Sequence, residues 1–246
     1  MKYHRILTDW LEIVTQFRDS GLPKEERKRR HVLISSWEKS VYDEPLPSLE
    51  EIESFWQDYG SYCHNHIFVK KVMKTPILKD IESGGVKGLH FLFQSYARDE
   101  RNIYWDELLS TFCAVTDHKY SSLQLAEKLL EQEKDNECAI KFLYQWLKEY
   151  LEYSIHEVPS GILYDANGAT IDNLLEMLQD VDKFERLSNR LGINNEQLIN
   201  DCRILYSAYK EYLQDRTSYK NFEDYLHQQH ISAHGCAEYY FPGSCK

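Results

Sequence analysis

Apolar positions recur every three to four residues along almost the whole chain. Tyr3, Leu7, Trp10, Leu11, Val14 and Phe17 share one helical face. Gly21-Leu22-Pro23 stops that helix. A second helix starts in the charged run 24–30 and continues through Leu33, Ile34 and Trp37, until Pro45-Leu46-Pro47 ends it. Ser48-Leu49-Glu50-Glu51 is a capping box, and Ile52, Phe55, Trp56 and Tyr59 form the face that follows, up to Gly60. Residues 62–74 predict another helix. Thr75-Pro76 reads as an N-cap followed by a proline whose missing N–H costs nothing there.

Beyond the Gly84-Gly85 break, Leu89, Leu92, Phe93 and Tyr96 line one helix and Trp105, Leu108, Leu109 and Phe112 the next. Ser121-Ser122-Leu123-Gln124 is a second capping box, opening helices over 123–133 and 137–157. Pro159-Ser160-Gly161 closes the long one, and 162–168 reads as an irregular loop or short strand. Short helices are expected over 170–178 and 181–191, a turn at Gly192-Ile193-Asn194-Asn195, and helices over 196–215 and 219–229. No convincing strand pair interrupts the series. The expected class is therefore all-α, with about eleven helices in one compact body over residues 1–246 and soft boundaries near 84–85 or 118.

The piece 123–147, with Ala126, Leu129, Leu130, Asp135-Asn136 and Ala139, resembles the junction of two tetratricopeptide-type repeats. It covers about one repeat length, and the repeat's aromatic and glycine positions do not recur at that period. The resemblance implies a superhelix of helix pairs.

Composition narrows function mostly by exclusion. The 246 residues carry 40 Asp and Glu against 29 Lys and Arg, a formal charge of −11. That balance opposes nonspecific nucleic-acid binding, which needs net Lys and Arg. Charges interrupt every apolar run near the N-terminus, and no stretch approaches a membrane span. The expected setting is the cytoplasm, with no membrane and no nucleic acid as partner. The six cysteines have irregular spacings and no C-x-x-C, so neither a disulfide framework nor a zinc ribbon is indicated. Cys113, Cys138 and Cys202 fall inside helical apolar patterns and read as small buried hydrophobes.

Catalytic signatures are missing: no phosphate loop, no G-x-G-x-x-G, no H-E-x-x-H and no G-x-S-x-G. Gly84-Gly85-Val86-Lys87-Gly88 is the nearest approach to a phosphate cradle, and reads more simply as a helix–helix turn. His227, His230, His234 and Cys236 lie within ten positions. His227 and His230 are spaced one turn apart, and a loop bringing in His234 and Cys236 would complete a tetrahedral zinc set. The competing account is a polar helix end followed by a tail. Cys63 with His66 is a lesser pair. No cofactor is expected.

The charge is uneven. Residues 1–123 carry −2 and residues 124–246 carry −9. Glu149, Glu152, Glu157 and Asp165, together with Tyr153 and Tyr164, lie near one another in sequence and near Tyr150. Tyrosine buries much area at low entropy cost while keeping a hydrogen-bonding tip. These six residues are the expected partner-binding set. The expected function is a noncatalytic protein-interaction module for another protein with a basic surface. Its sharpest form is an immunity or antitoxin-like inhibitor covering the basic active site of a toxic enzyme. The alternative is a metal-binding protein or metal-dependent enzyme using the C-terminal His/Cys cluster.

Overall fold

The computed structural model describes residues 2–17, 21–41, 44–63, 65–97, 103–116, 120–158 and 160–232, with backbone alone at 94–97 and 103–108. Among them the chain is all-α, save one two-residue hairpin. Packing divides it into two compact units, Met1–Asn136 and Glu137–Lys246. The repeat-like piece 123–147 spans that division, which lies beyond the glycine pair at 84–85 and beyond 118.

The first unit holds α1 (Arg5–Val14), α2 (Lys24–Ser40), α3 (Leu49–Tyr59), α4 (His66–Phe68), α5 (Lys74–Glu82), α6 (Lys87–Ala97), α7 (Ile103–Val115) and α8 (Ser122–Gln132). Its centre is aromatic. Trp10 packs against Trp37 at 4.7 Å and against Phe68 at 5.1 Å, ring centre to ring centre. Both indoles find acceptors: Trp10 Nε1 donates to the Tyr62 carbonyl at 2.9 Å, and Trp37 Nε1 to that of Ile6 at 3.1 Å. Both predicted capping boxes form. Ser48 Oγ accepts from the Glu51 amide while Glu51 Oε2 accepts from that of Ser48, and Ser121 and Gln124 do the same.

Thr75 does not start a helix. Pro76 lies inside α5, and a π-helical turn, Val69–Met73, joins α4 to α5. Proline has no N–H and its ring crowds the carbonyl four residues back. The π turn contains Val72, four residues before Pro76, so the ladder is widened where the ring would otherwise crowd it.

The second unit contains α9 (Glu137–Ser154), the hairpin of β1 (Leu163–Tyr164) and β2 (Asn167–Gly168), α10 (Ile171–Leu191), α11 (Glu196–Gln214) and α12 (Phe222–Gln228). The hairpin is antiparallel, with Leu163 opposite Gly168 and Tyr164 opposite Asn167. Where two short helices were expected, α10 is continuous over 21 residues. Val181 simply extends the buried stripe of Leu174 and Met177 towards Phe184, and no glycine or proline intervenes. Thr170 and Asn173 cap it reciprocally, and Gly192 ends it in the left-handed conformation at φ 66°. Tyr206, Tyr209, Tyr212 and Tyr225 are buried, so part of the high tyrosine content is core. A methyl on Gly161 would lie 3.2 Å from the Tyr209 hydroxyl, which therefore packs close against the hairpin's approach.

The cysteine expectation holds for one of three residues. Cys202 is buried, but Cys113 is only half-buried and Cys138 is exposed, because Ala139 and Ile140 take the core side of α9. Burial pushes the Cys202 thiol up to about 12. An unfolded thiol titrates near about 8.5. Below that value both states hold the proton; between the two values only the folded state does, so stability falls as pH rises. The loss attributable to this group sets in as pH rises past about 8.5 and continues towards the folded value. Denaturant unfolding at stepped alkaline pH under reducing conditions should therefore show a shallower decline for Cys202→Ala than for wild type. Equal slopes would contradict this.

Candidate acidic aromatic surface

The structure splits the six sequence-predicted binding residues between two flanks of α9. Glu152 lies on one flank, half-buried, and its carboxyl is raised above the ordinary range by burial, with Lys148 3.7 Å away opposing the shift. Here Lys148 and Glu152 border an open cavity of about 600 Å³ with Asn194, Asn195, Gln197 and Asn200. Asn195 turns away to donate to the Tyr144 and Ser188 hydroxyls, both at 3.1 Å.

The other flank is aromatic and acidic. Trp146 stacks flat on Tyr150, 5.4 Å between ring centres and 11° between planes. Trp146 stays 37% exposed, and Tyr150 is half-buried. Burial, then Asp180, Tyr164, Asp165 and Glu176, hold the Tyr150 phenol well above its ordinary value. The Tyr164 hydroxyl donates to Glu176 at 3.3 Å, tying the hairpin to α10. Asp165 sits at the hairpin tip with φ 52°, a left-handed turn position that Asp tolerates. Glu149 and Tyr153 lie three and seven residues beyond Trp146, on the same side of α9. Glu149 accepts from Gln145 at 2.7 Å, and Tyr153 packs on the His156 ring at 4.7 Å. Glu157 lies past the end of α9, 3.4 Å from His156 Nε2.

Tyr164 and Asp165 thus meet Tyr150, Glu176 and Asp180. Sequence reading named Tyr150 only as a neighbour and missed Trp146, Glu176 and Asp180. The i, i+4 spacing of Trp146 and Tyr150 was visible. That α10 would bring Glu176 and Asp180 beside them was not, because those pairings are tertiary.

The other candidates gather less. His227 lies in α12, but His230 has left it: at φ 56° it is the left-handed residue of a Schellman end, with Ile231 N–H bonded to the Leu226 carbonyl at 2.9 Å. The two imidazoles therefore do not share a helix face. His234 and Cys236 lie outside the described residues. Cys63 is fully buried with its thiol 3.5 Å from the Tyr59 carbonyl, and Asn65 caps α4. Among the described residues no three His, Cys, Asp or Glu side chains are grouped to hold a metal. At the glycine-rich turn, Asp80 Oδ2 accepts from the Gly88 amide at 2.7 Å. A carboxylate of the chain itself thus sits at the N-terminus of α6, where a phosphate would bind. No helix among the described residues is long and apolar enough to cross a membrane.

The chain matches no protein family, and no curated protein or solved structure is similar to it.

Proposed function

We propose that the second unit is a noncatalytic interaction module whose α9–hairpin–α10 face binds a protein with a basic surface. Three carboxylates without a Lys or Arg partner carry this reading: Asp165 and Glu176 beside Tyr150, and Glu149 one helical turn from the Trp146 stacked on that ring. Three acidic groups of the same unit are matched: Arg203 reaches Asp182 at 2.6 Å and Glu185 at 2.8 Å, and Lys148 reaches Glu152. Among the described residues, no Lys or Arg pairs with Glu149, Asp165 or Glu176. The charge is concentrated in this unit as well: residues 137–246 carry 17 Asp and Glu against 10 Lys and Arg, a net −7. An inhibitor seated on the basic active site of an enzyme is one form such a module takes.

A surface of this kind steers encounter and selects against acidic partners. The test is a pull-down with the full chain at low and high ionic strength. Recovered partners should be basic, and recovery should drop at high salt. Glu149→Gln, Asp165→Asn and Glu176→Gln together should weaken binding about tenfold or more, taking up to about 1 kcal/mol per exposed charge. Neutralising the exposed Glu12, Glu82 and Glu131 should leave it intact. Recovery of no basic partner at either salt concentration, or equal losses in both triple variants, would overturn the reading.

A further inference from the structure

The same face sets an aromatic ring beside a carboxylate, and the two basic side chains differ in what they gain from such a pair. An ammonium is a compact, strongly hydrated charge and gains little from a flat ring. A guanidinium is planar and weakly hydrated, stacks on aromatic faces and presents a fork of N–H donors to a carboxylate. Trp146 offers the best aromatic face for a cation, and it is already stacked on one side by Tyr150, which limits its freedom to turn. Glu149 lies three residues further along α9, where helix geometry makes it a neighbour of Trp146. Its only partner among the described residues is the Gln145 amide.

We propose that this face takes an arginine side chain of the partner, the guanidinium laid over the exposed part of Trp146 with its N–H edge turned to Glu149. The inference rests on the reading of the face as a site for a basic protein, and adds which cation that protein inserts. Asp165 and Glu176 then supply a field that either cation feels, whereas the indole supplies the preference.

Two short peptides of equal length and charge test this, with glycine alternating with arginine in one and with lysine in the other. Calorimetric titration of the full-length protein at low salt should show the arginine peptide binding about two- to fivefold tighter, the range expected for an exposed cation–π contact. Trp146→Leu, which stays apolar but lacks the ring face, should erase that difference while leaving lysine-peptide binding near wild type. Glu149→Gln should weaken the arginine peptide more than the lysine peptide. Circular dichroism confirms that each variant is folded, and Trp146→Phe, which keeps a smaller ring, should retain part of the preference. Equal binding of both peptides by wild type, or a preference that survives Trp146→Leu, would overturn this inference and leave the broader reading standing. Binding of neither peptide would overturn both.

Discussion

Trp10→Ala should destabilise the first unit by about 3–5 kcal/mol, the range for truncating a large buried aromatic. The indole is fully buried, and truncation removes its contacts with Trp37 and Phe68 together. It also leaves the Tyr62 carbonyl without the Nε1 donor that now lies 2.9 Å away. Tyr62 is the last residue of the short 3-10 helix Gly60–Tyr62, so the damage extends into the approach to α4. Denaturant unfolding followed by circular dichroism should show the loss as an early transition. Trp10→Phe restores much of the volume but not the donor, and should fall between wild type and Trp10→Ala. A midpoint within the error of wild type for Trp10→Ala would contradict the placement of this residue at the centre of the unit.

The residues that hold this core were legible one at a time. Trp10, Trp37 and Phe55 all stand at helical apolar spacings, and periodicity reports which side of a helix turns inward. Periodicity is silent on which helices meet. The Trp10–Phe68 contact joins residues far apart in the chain, and only tertiary packing reveals it. Caps were legible for the same local reason: Ser48 with Glu51, and Ser121 with Gln124, act within four residues of one another. Thr75-Pro76 misled because a proline after a threonine has the local appearance of a helix start, while the π turn before it keeps the helix going. The His227–His230 spacing misled similarly. Two histidines one turn apart share a face only if the helix continues through both, and this one ends at Gln228.

The candidate surface followed the same division. Its charge and its tyrosines were visible along the sequence, because both are sums over residues. Its shape was not, because a hairpin of two-residue strands and the N-terminal half of α10 both had to be placed beside α9. Glu152 was grouped with Glu149 by number, yet it pairs with Lys148 one turn back and borders the cavity lined by Asn194 and Asn195. Glu149, Asp165 and Glu176 have no Lys or Arg partner among the described residues, and pairing of this kind is something no single-residue count conveys.

A second large effect is expected where α9 meets α11. Ser154 and Tyr206 are buried, and their oxygens lie 2.5 Å apart. Ser154 Oγ also donates to the Leu151 carbonyl at 2.7 Å. A hydroxyl has one proton, so the phenol must be the donor between the two. The Cys202 thiol, one turn back on α11, is the phenol's other polar neighbour, and burial holds the Tyr206 proton in place well above the ordinary range. Ser154→Ala removes the acceptor and leaves the buried phenol facing a weak sulfur partner, which should cost about 1–3 kcal/mol. Tyr206→Phe removes the donor but leaves Ser154 bonded to Leu151, and should cost less. The double variant deletes both ends of the bond and strands neither, so it should be more stable than Ser154→Ala alone. Denaturant midpoints for the four proteins close the cycle. Strict additivity would show that the bond carries no coupling, and a double variant weaker than either single would show that the phenol's partner is not Ser154.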